Sequence, residues 1–288
     1  MAIMLYTIPK IFDDFLAYRL LTEKERKAYD QQFASFIKIL DPVAAASCPD
    51  QAAALAWFVQ SNALTPLALS RARYTENKLE EVVRQGVTQY VILGAGFDTF
   101  AFRRSEMLEQ LHVFEVDHPA TQAYKRQRLK ELGWEHPAQL HFVPVDFTQE
   151  SLADALNHSS YNPQAPTFFS WLGVTYYLPR DTVFATLRII ANIAPAGSMV
   201  LFDYLDSDAF VPEKAAPRVQ AMLRAAQQVG EPMQAGFDPS TIAADLAPLG
   251  LRLYEGLSPS DIQRCYFQGR TDGYSATEHA HFICAVVE

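Results

Sequence analysis

Glycines and carboxylates occur in this chain at points where short apolar runs end. The run "YVIL" (residues 90–93) leads into Gly94, Ala95 and Gly96, and Asp98 follows two residues later. Because glycine has no Cβ atom, a ligand can lie directly against the backbone of such a loop. The loop therefore predicts a site that something approaches closely.

Acidic and aromatic side chains also end the later apolar runs. In parallel open sheets, ligands bind beyond the carboxyl ends of the strands, so these residues are candidates for one site. Glu115 or Asp117 could bind both hydroxyls of a ribose, because one carboxylate accepts two hydrogen bonds. Asp146 could accept from an exocyclic amine, and Phe147 could lie against a purine. Together with the glycine loop they predict a nucleoside ligand; the residues at these ends are Glu115, Asp117, Asp146, Phe147, Trp171, Leu172, Asp203 and Tyr204.

The loop sequence distinguishes between two nucleoside cofactors. Residues 94–99 read Gly-Ala-Gly-Phe-Asp-Thr and lack the third glycine of the G-x-G-x-x-G pattern that binds a pyrophosphate. Asp98 would repel a pyrophosphate, whereas it would attract a sulfonium and an ammonium group. This favours S-adenosylmethionine, with a nicotinamide-dependent dehydrogenase and a simple tight turn as the alternatives.

The order of elements predicts an α/β fold in which short buried strands alternate with helices. Helical segments cover residues 119–133 and 179–197, between the apolar runs. Residues 10–86 read as mostly helical, residues 213–229 form a further helix, and two strand-like runs close the chain, the last antiparallel. We expect a single domain over 1–288: an N-terminal helical segment (1–86) and a Rossmann-like core (87–288) with a lid around 206–240.

Composition excludes several function classes. The chain has 288 residues, 49% of them hydrophobic, and a formal net charge of -9, which disfavours nucleic acid as a partner. Three cysteines without a CxxC pair predict neither a disulfide framework nor a metal site. No run is apolar over the ~18 residues of a membrane span, so we expect a cytoplasmic protein with no membrane partner.

Several ordered motifs resemble one known family. "SRARYTENKLEEVVRQGVTQYVILGAGFDTFAFR", "FEVDHPATQAYKRQRL", "VPVDF", "SWLGVTYYLPRDTV" and "GEPMQAGFDPSTIAADLAPLGL" closely resemble the leucine carboxyl methyltransferase-like family, in particular its bacterial S-adenosylmethionine-dependent branch. The resemblance implies a Rossmann-like class I methyltransferase fold. Its seven-stranded sheet has the order 3-2-1-4-5-7-6 with strand 7 antiparallel, and helices cover both faces.

The resemblance also implies roles for individual residues. Arg71 best matches the arginine that binds the methionine carboxylate, and Arg73 is close by. Asp117 matches the ribose-binding acid, with Glu115 on the same strand face. The loop would face the methionine part and the third strand end the adenine, so the full set is Arg71, Arg73, Gly94, Ala95, Gly96, Asp98, Glu115, Asp117, His118, Asp146, Phe147, Trp171 and Leu172. Many relatives carry an acid-glycine pair after the fourth strand, where this chain has Leu172-Gly173.

These observations lead to an expected activity. We expect an O-methyltransferase that acts on a carboxylate or hydroxyl of a small molecule by in-line transfer, with Tyr176, Tyr177 and Tyr204 near the acceptor. An ionised carboxylate needs no general base, whereas a hydroxyl does. The alternatives are a protein carboxyl methyltransferase and a non-catalytic protein that binds S-adenosylmethionine or S-adenosylhomocysteine. A monomer or homodimer is expected.

Overall fold

One twisted sheet forms the centre of the computed structural model, which describes residues 64–131, 133–146, 150–228, 230–271 and 273–288. Its strands are β1 (Gln89–Leu93), β2 (His112–Asp117), β3 (Leu140–Pro144), β4 (Thr167–Trp171), β5 (Met199–Leu205), β6 (Leu251–Leu257) and β7 (Ala280–Val287). Their order is β3-β2-β1-β4-β5-β7-β6, and β7 runs antiparallel to both β5 and β6. The predicted seven-stranded fold is therefore confirmed.

Helices connect these strands. They are α1 (Thr65–Val83), α2 (Phe100–Arg103), α3 (Pro119–Glu131), α4 (Leu152–Asn157), α5 (Arg180–Ile193), α6 (Pro217–Gln228), α7 (Ile242–Leu246) and α8 (Pro259–Ile262). Single helical turns lie at Ser105–Glu109, Thr175–Tyr177, Ser207–Phe210, Ala247–Leu249 and Gln263–Phe267. The helix predicted from residue 213 begins at Pro217 instead, where proline suits a first helical position. The helices predicted between residues 10 and 63, like Phe147, lie outside the described residues.

The two faces of the sheet carry separate hydrophobic clusters. Along β5, Val200, Phe202 and Tyr204 belong to a cluster that includes residues of α5. Leu201 and Leu205 belong to the other cluster, which includes residues of α1. Because successive strand residues point to opposite faces, Asp203 points towards α1 while its neighbour Tyr204 points away from it.

The parallel strands bring their carboxyl ends to one edge of the sheet. The glycine loop, the turn at Thr175–Tyr177 and the turn at Ser207–Phe210 all follow strands at this edge. No helix among the described residues is long and apolar enough to cross a membrane. The fold thus gathers the candidate residues at a single sheet edge, beside the end of α1.

Candidate active site

A buried ion pair joins α1 to β5 at this edge. The Arg71 Nη1 atom donates to Asp203 Oδ2 and to the hydroxyl of Tyr176, both at 3.0 Å. The second Asp203 oxygen accepts from the backbone N–H of Gly173 at 2.7 Å. Burial alone would lower the pKa of Arg71, but the Asp203 carboxylate and Tyr176 outweigh it, and the pKa is raised. Arg71 is therefore a fixed, permanently charged group.

Gly173 is the wall against which the guanidinium rests. Its backbone has φ +72°, a left-handed conformation that glycine adopts without strain. A Cβ atom built on it would lie 2.5 Å from Arg71 Nη2 and 2.9 Å from Arg71 Cζ. Only glycine satisfies both conditions, so the Leu172-Gly173 pair shapes the site through its glycine.

One edge of the guanidinium remains open. Within the part of the chain that the structure describes, Asp203 and Tyr176 are both bound through Nη1, and neither Nη2 nor Nε has an acceptor. The Arg71 side chain retains 20% of its surface exposed, against 1% for Asp203. Two parallel N–H groups of one guanidinium match the two oxygens of a carboxylate. The open edge of Arg71 can therefore bind a carboxylate.

The glycine loop is attached to the end of β2. Asp117 accepts from the N–H of Gly96 at 2.5 Å and from the N–H of His118 at 2.6 Å. Gly96 has φ +50°, and the nearest atom to a Cβ built on it is Gly94 O at 4.0 Å. At Gly94, by contrast, a Val174 methyl group would lie 2.9 Å from such a Cβ. A ligand therefore has room to approach the backbone at Gly96 from the side on which a Cβ atom would stand.

Glu115 lies deeper and has an internal partner. Lys125 Nζ, on α3, donates to Glu115 Oε2 and to the Asp98 carbonyl, both at 2.5 Å. Among the described residues the second oxygen, Oε1, is buried without a hydrogen-bond partner. Burial raises the pKa of Glu115 to about 7, and the Lys125 ammonium opposes this rise. Asp117 is therefore better placed than Glu115 to meet a ribose at the surface of the site.

Other predicted binding residues have local partners. Asp98 accepts from the N–H of Phe100 at the start of α2, at 2.7 Å, and His118 Nδ1 accepts from the N–H of Ala120 at 3.2 Å. Arg73 is exposed and stands about 200° around α1 from Arg71, so the structure does not bring the two arginines together.

The remaining predicted residues differ in burial. Ala95 and Trp171 are buried, whereas Leu172 is partly buried beside the cluster on the α1 face. Asp146 follows β3 at the same edge.

The three predicted acceptor tyrosines lie in two places. The rings of Tyr176 and Tyr177 are in contact, with centroids 4.9 Å apart, and burial raises the pKa of both phenols. Tyr204 lies on the opposite face of the sheet, where its ring stacks on His281 at 5.1 Å. Tyr176 and Tyr177 therefore adjoin Arg71, and Tyr204 does not.

A cavity of about 460 Å³ lies beside the tyrosine turn. Its walls include Arg180, Ser207, Phe210 and residues 234–236. Gln234 fixes one wall, since its N–H donates to Tyr176 O at 2.6 Å and its side chain donates to Tyr177 O at 2.9 Å. The cavity thus lies next to the backbone of the turn that carries Tyr176 and Tyr177.

Two residues that hold the site together were outside the predicted cofactor-binding set, although Asp203 was noted at a strand end. Asp203 is at a strand end, which was its only signal, yet it supplies the carboxylate that holds both Arg71 and the Gly173 N–H. Lys125 reads as an ordinary charged residue of a helix, although it is only 2% exposed. The family resemblance points to an acid after β4, where this chain has Leu172. In the structure the carboxylate that binds Arg71 is that of Asp203, on the adjacent strand β5.

Comparisons with known proteins show which sequences this chain is similar to. The sequence profile of the family described as leucine carboxyl methyltransferase matches residues 5–191. The Bacillus subtilis protein YktD, named provisionally as an S-adenosyl-L-methionine-dependent methyltransferase, is 41% identical over 98% of this chain and 92% of its own length. A Mycobacterium marinum protein of the same provisional description is 31% identical over 48% of this chain and 46% of its own.

A solved structure supports the fold. The crystal structure of a provisionally described methyltransferase from Thermobifida fusca YX superposes with a TM-score of 0.59, covering 98% of this chain and 94% of that one. The two sequences are 15% identical, so the likeness concerns the fold alone.

Proposed function

Because this chain belongs to the leucine carboxyl methyltransferase family, we propose that it methylates an oxygen atom of a small molecule, with a carboxylate as the first candidate. The chain is an S-adenosyl-L-methionine-dependent methyltransferase, as its family and its relatives indicate. The oxygen acceptor and its small size are the proposed part. Assembly as a monomer or homodimer and a cytoplasmic location stay predictions.

The observation that carries the proposal is the half-occupied guanidinium of Arg71. Its Nη1 is held by Asp203 and Tyr176, its other nitrogens have no acceptor among the described residues, and these partners lie at the sheet edge where ligands of such folds bind. The carboxylate of the methionine moiety fits this edge. Gly96, where a Cβ atom would meet no atom closer than 4.0 Å, suits the adjoining part of the cofactor, and Asp117 suits its ribose hydroxyls.

The residues of this chain contribute mainly by positioning. S-adenosyl-L-methionine, when bound, supplies a methyl group on a positively charged sulfur. Arg71 binds and orients the amino-acid end, while Asp203 and Gly173 prevent the guanidinium from turning away. The Tyr176 hydroxyl accepts from Arg71, and the ring of Tyr177 packs against that of Tyr176. Catalysis by orientation is effective because aligned reactants forgo the entropy cost of meeting.

Two features support a small carboxylate acceptor. The family description names a carboxyl group, and an ionised carboxylate attacks without a general base. The cavity beside Tyr176 and Tyr177 has a volume within the usual range for small-molecule sites. Arg180 lines it; the Arg180 side chain is 42% exposed, and its Nη2 donates to Asp245 Oδ2 at 2.7 Å. A cation in this position favours an anionic acceptor.

A transfer assay tests the proposal. The purified chain is incubated with methyl-labelled S-adenosyl-L-methionine and a panel of small carboxylic acids, phenols and alcohols, together with a peptide that ends in a free leucine carboxylate. We expect label in a small acid as a methyl ester, which releases methanol in base. Label in the peptide alone would favour the protein carboxyl methyltransferase. Label only in amines or thiols, or binding of the donor without any transfer, would contradict the proposal.

A further inference from the structure

The inner face of α3 is unusual because it is polar. The two buried residues of this helix are Gln122 and Lys125, which are 4% and 2% exposed. A helix that packs on a sheet ordinarily buries an apolar stripe, and burying a charged side chain is costly unless it is paired. The groups that the buried lysine binds should therefore explain why it is there.

Both side chains bind groups of the sheet, and Lys125 also binds the glycine loop. Gln122 Nε2 donates to the carbonyl oxygens of Glu115 at 2.7 Å and Val143 at 3.2 Å, which fixes α3 across β2 and β3. One turn further, the Lys125 ammonium spans Glu115 Oε2 and the Asp98 carbonyl. Asp98 stands two residues after Gly96 in the glycine loop. Lys125 is thus a direct link between the body of the fold and that loop.

The loop is bonded to β2 at its start, where the N–H groups of Gly94 and Ala95 donate to Val116 O at 2.9 and 3.2 Å, and it has two further attachments. Asp117 holds it at the Gly96 N–H, and Lys125 holds it at the Asp98 carbonyl. We propose that Lys125 is a positioning residue for S-adenosyl-L-methionine, which fixes the loop in the form that leaves Gly96 open to the cofactor. The inference rests on the donor site of the proposed function. It goes beyond an internal ion pair, since neutralising Glu115 would not require the bond to Asp98.

The physical reason is pre-organisation. Where a segment of a loop lacks a bond, it samples other conformations, and a ligand must then spend binding free energy on ordering it. Without Lys125, the loop keeps its bonds to β2 at Gly94, Ala95 and Gly96 and the contact of the Phe97 ring with Tyr124, but the Asp98 carbonyl loses its bond to the body of the fold. Cofactor affinity should fall even when the rest of the fold is intact.

Calorimetric titration with S-adenosyl-L-homocysteine tests the proposal. We expect Lys125→Met to raise the dissociation constant at least about tenfold, because a tenfold change corresponds to one such lost contact. Lys130→Met makes the same chemical change at an exposed position of the same helix and should stay within twofold. A Lys125→Met affinity within threefold of the wild type would overturn the proposal. Failure of the wild type itself to bind would instead refute the donor site.

A double variant separates positioning from charge compensation. In Glu115→Gln/Lys125→Met no buried charge is left unpaired, but the bond to Asp98 is still absent. Positioning predicts an affinity at least about tenfold weaker than that of Glu115→Gln alone. Charge compensation predicts that the double variant binds as well as Glu115→Gln, which would overturn the proposal. Should Lys125→Met not fold, Lys125→Gln replaces it in both comparisons, with the same thresholds.

Discussion

Replacement of Gly173 by alanine should disable the site without replacing any residue whose side chain binds a ligand. The new Cβ would lie 2.5 Å from Arg71 Nη2, far inside van der Waals contact. The guanidinium must move, and it then loses its bonds to Asp203 and Tyr176. Asp203, which is 1% exposed, would be left without its counter-charge.

The size of the effect follows from two contributions. The left-handed backbone at φ +72° costs an alanine about 1–2 kcal/mol. Separating a buried ion pair costs about 3–5 kcal/mol when one partner is removed outright, and we take roughly 2 kcal/mol because Arg71 is displaced rather than deleted. The free energy of unfolding should therefore fall by about 3–4 kcal/mol, and affinity for S-adenosyl-L-homocysteine by at least about tenfold.

Gly197→Ala is the matched control. Gly197 has φ +87°, no atom lies within 4 Å of a Cβ built on it, and it is at the opposite edge of the sheet. Its replacement by alanine adds backbone strain alone, so the free energy of unfolding should fall by about 1–2 kcal/mol. The affinity for S-adenosyl-L-homocysteine should be unchanged. Urea unfolding and calorimetric titration measure both quantities. Equal losses of stability in the two variants, together with unchanged affinity in Gly173→Ala, would refute the reasoning.

Three further variants extend the test. In Asp203→Asn the side chain can still accept from the Gly173 N–H but no longer neutralises Arg71. Urea unfolding should show a free energy of unfolding lower by about 3 kcal/mol, and a decrease under about 0.5 kcal/mol would contradict this. Tyr176→Phe removes one hydrogen bond from Arg71, so titration should show three- to tenfold weaker binding of S-adenosyl-L-homocysteine, or about 1 kcal/mol. Equal affinity would contradict the role of Tyr176 in holding Arg71. The pKa of Glu115 is raised from 4.5 to about 7, so the stability that this carboxyl contributes is present below pH 4.5 and is lost as the pH rises through 7. Urea unfolding from pH 4 to 8 should show that decline in the wild type and a flatter profile in Glu115→Gln, whereas identical profiles would contradict it.

The architecture could be predicted from local sequence patterns. Apolar runs that alternate with helical segments predicted the parallel sheet, and the helix from Pro119 ends at Glu131, close to the expected Gly133. The carboxylates at strand ends were predicted to share an edge because parallel strands finish together. These inferences depend on neighbours in the chain or on the geometry of one repeated element, which a sequence records.

Long-range pairing was beyond the sequence. Arg71 and Asp203 are 132 positions apart, and nothing in the spacing shows that their side chains meet. Arg71 and Arg73 were close alternatives until the orientation of α1 separated them. Tyr204 was grouped with Tyr176 by residue type, although the alternation of β5 turns it to the other face. The polar inner face of α3 was hidden because a lysine on a helix ordinarily faces water.

The most direct measurement is calorimetric binding of S-adenosyl-L-homocysteine to the purified chain, freed of carried-over ligand, and to its Arg71→Met variant. The account predicts one site in the wild type and an affinity lower by about 10- to 100-fold in the variant, since two charge-assisted hydrogen bonds are lost. An unchanged circular dichroism spectrum would confirm that the variant is folded. No binding by the wild type, or equal affinity in the folded variant, would contradict the central claim.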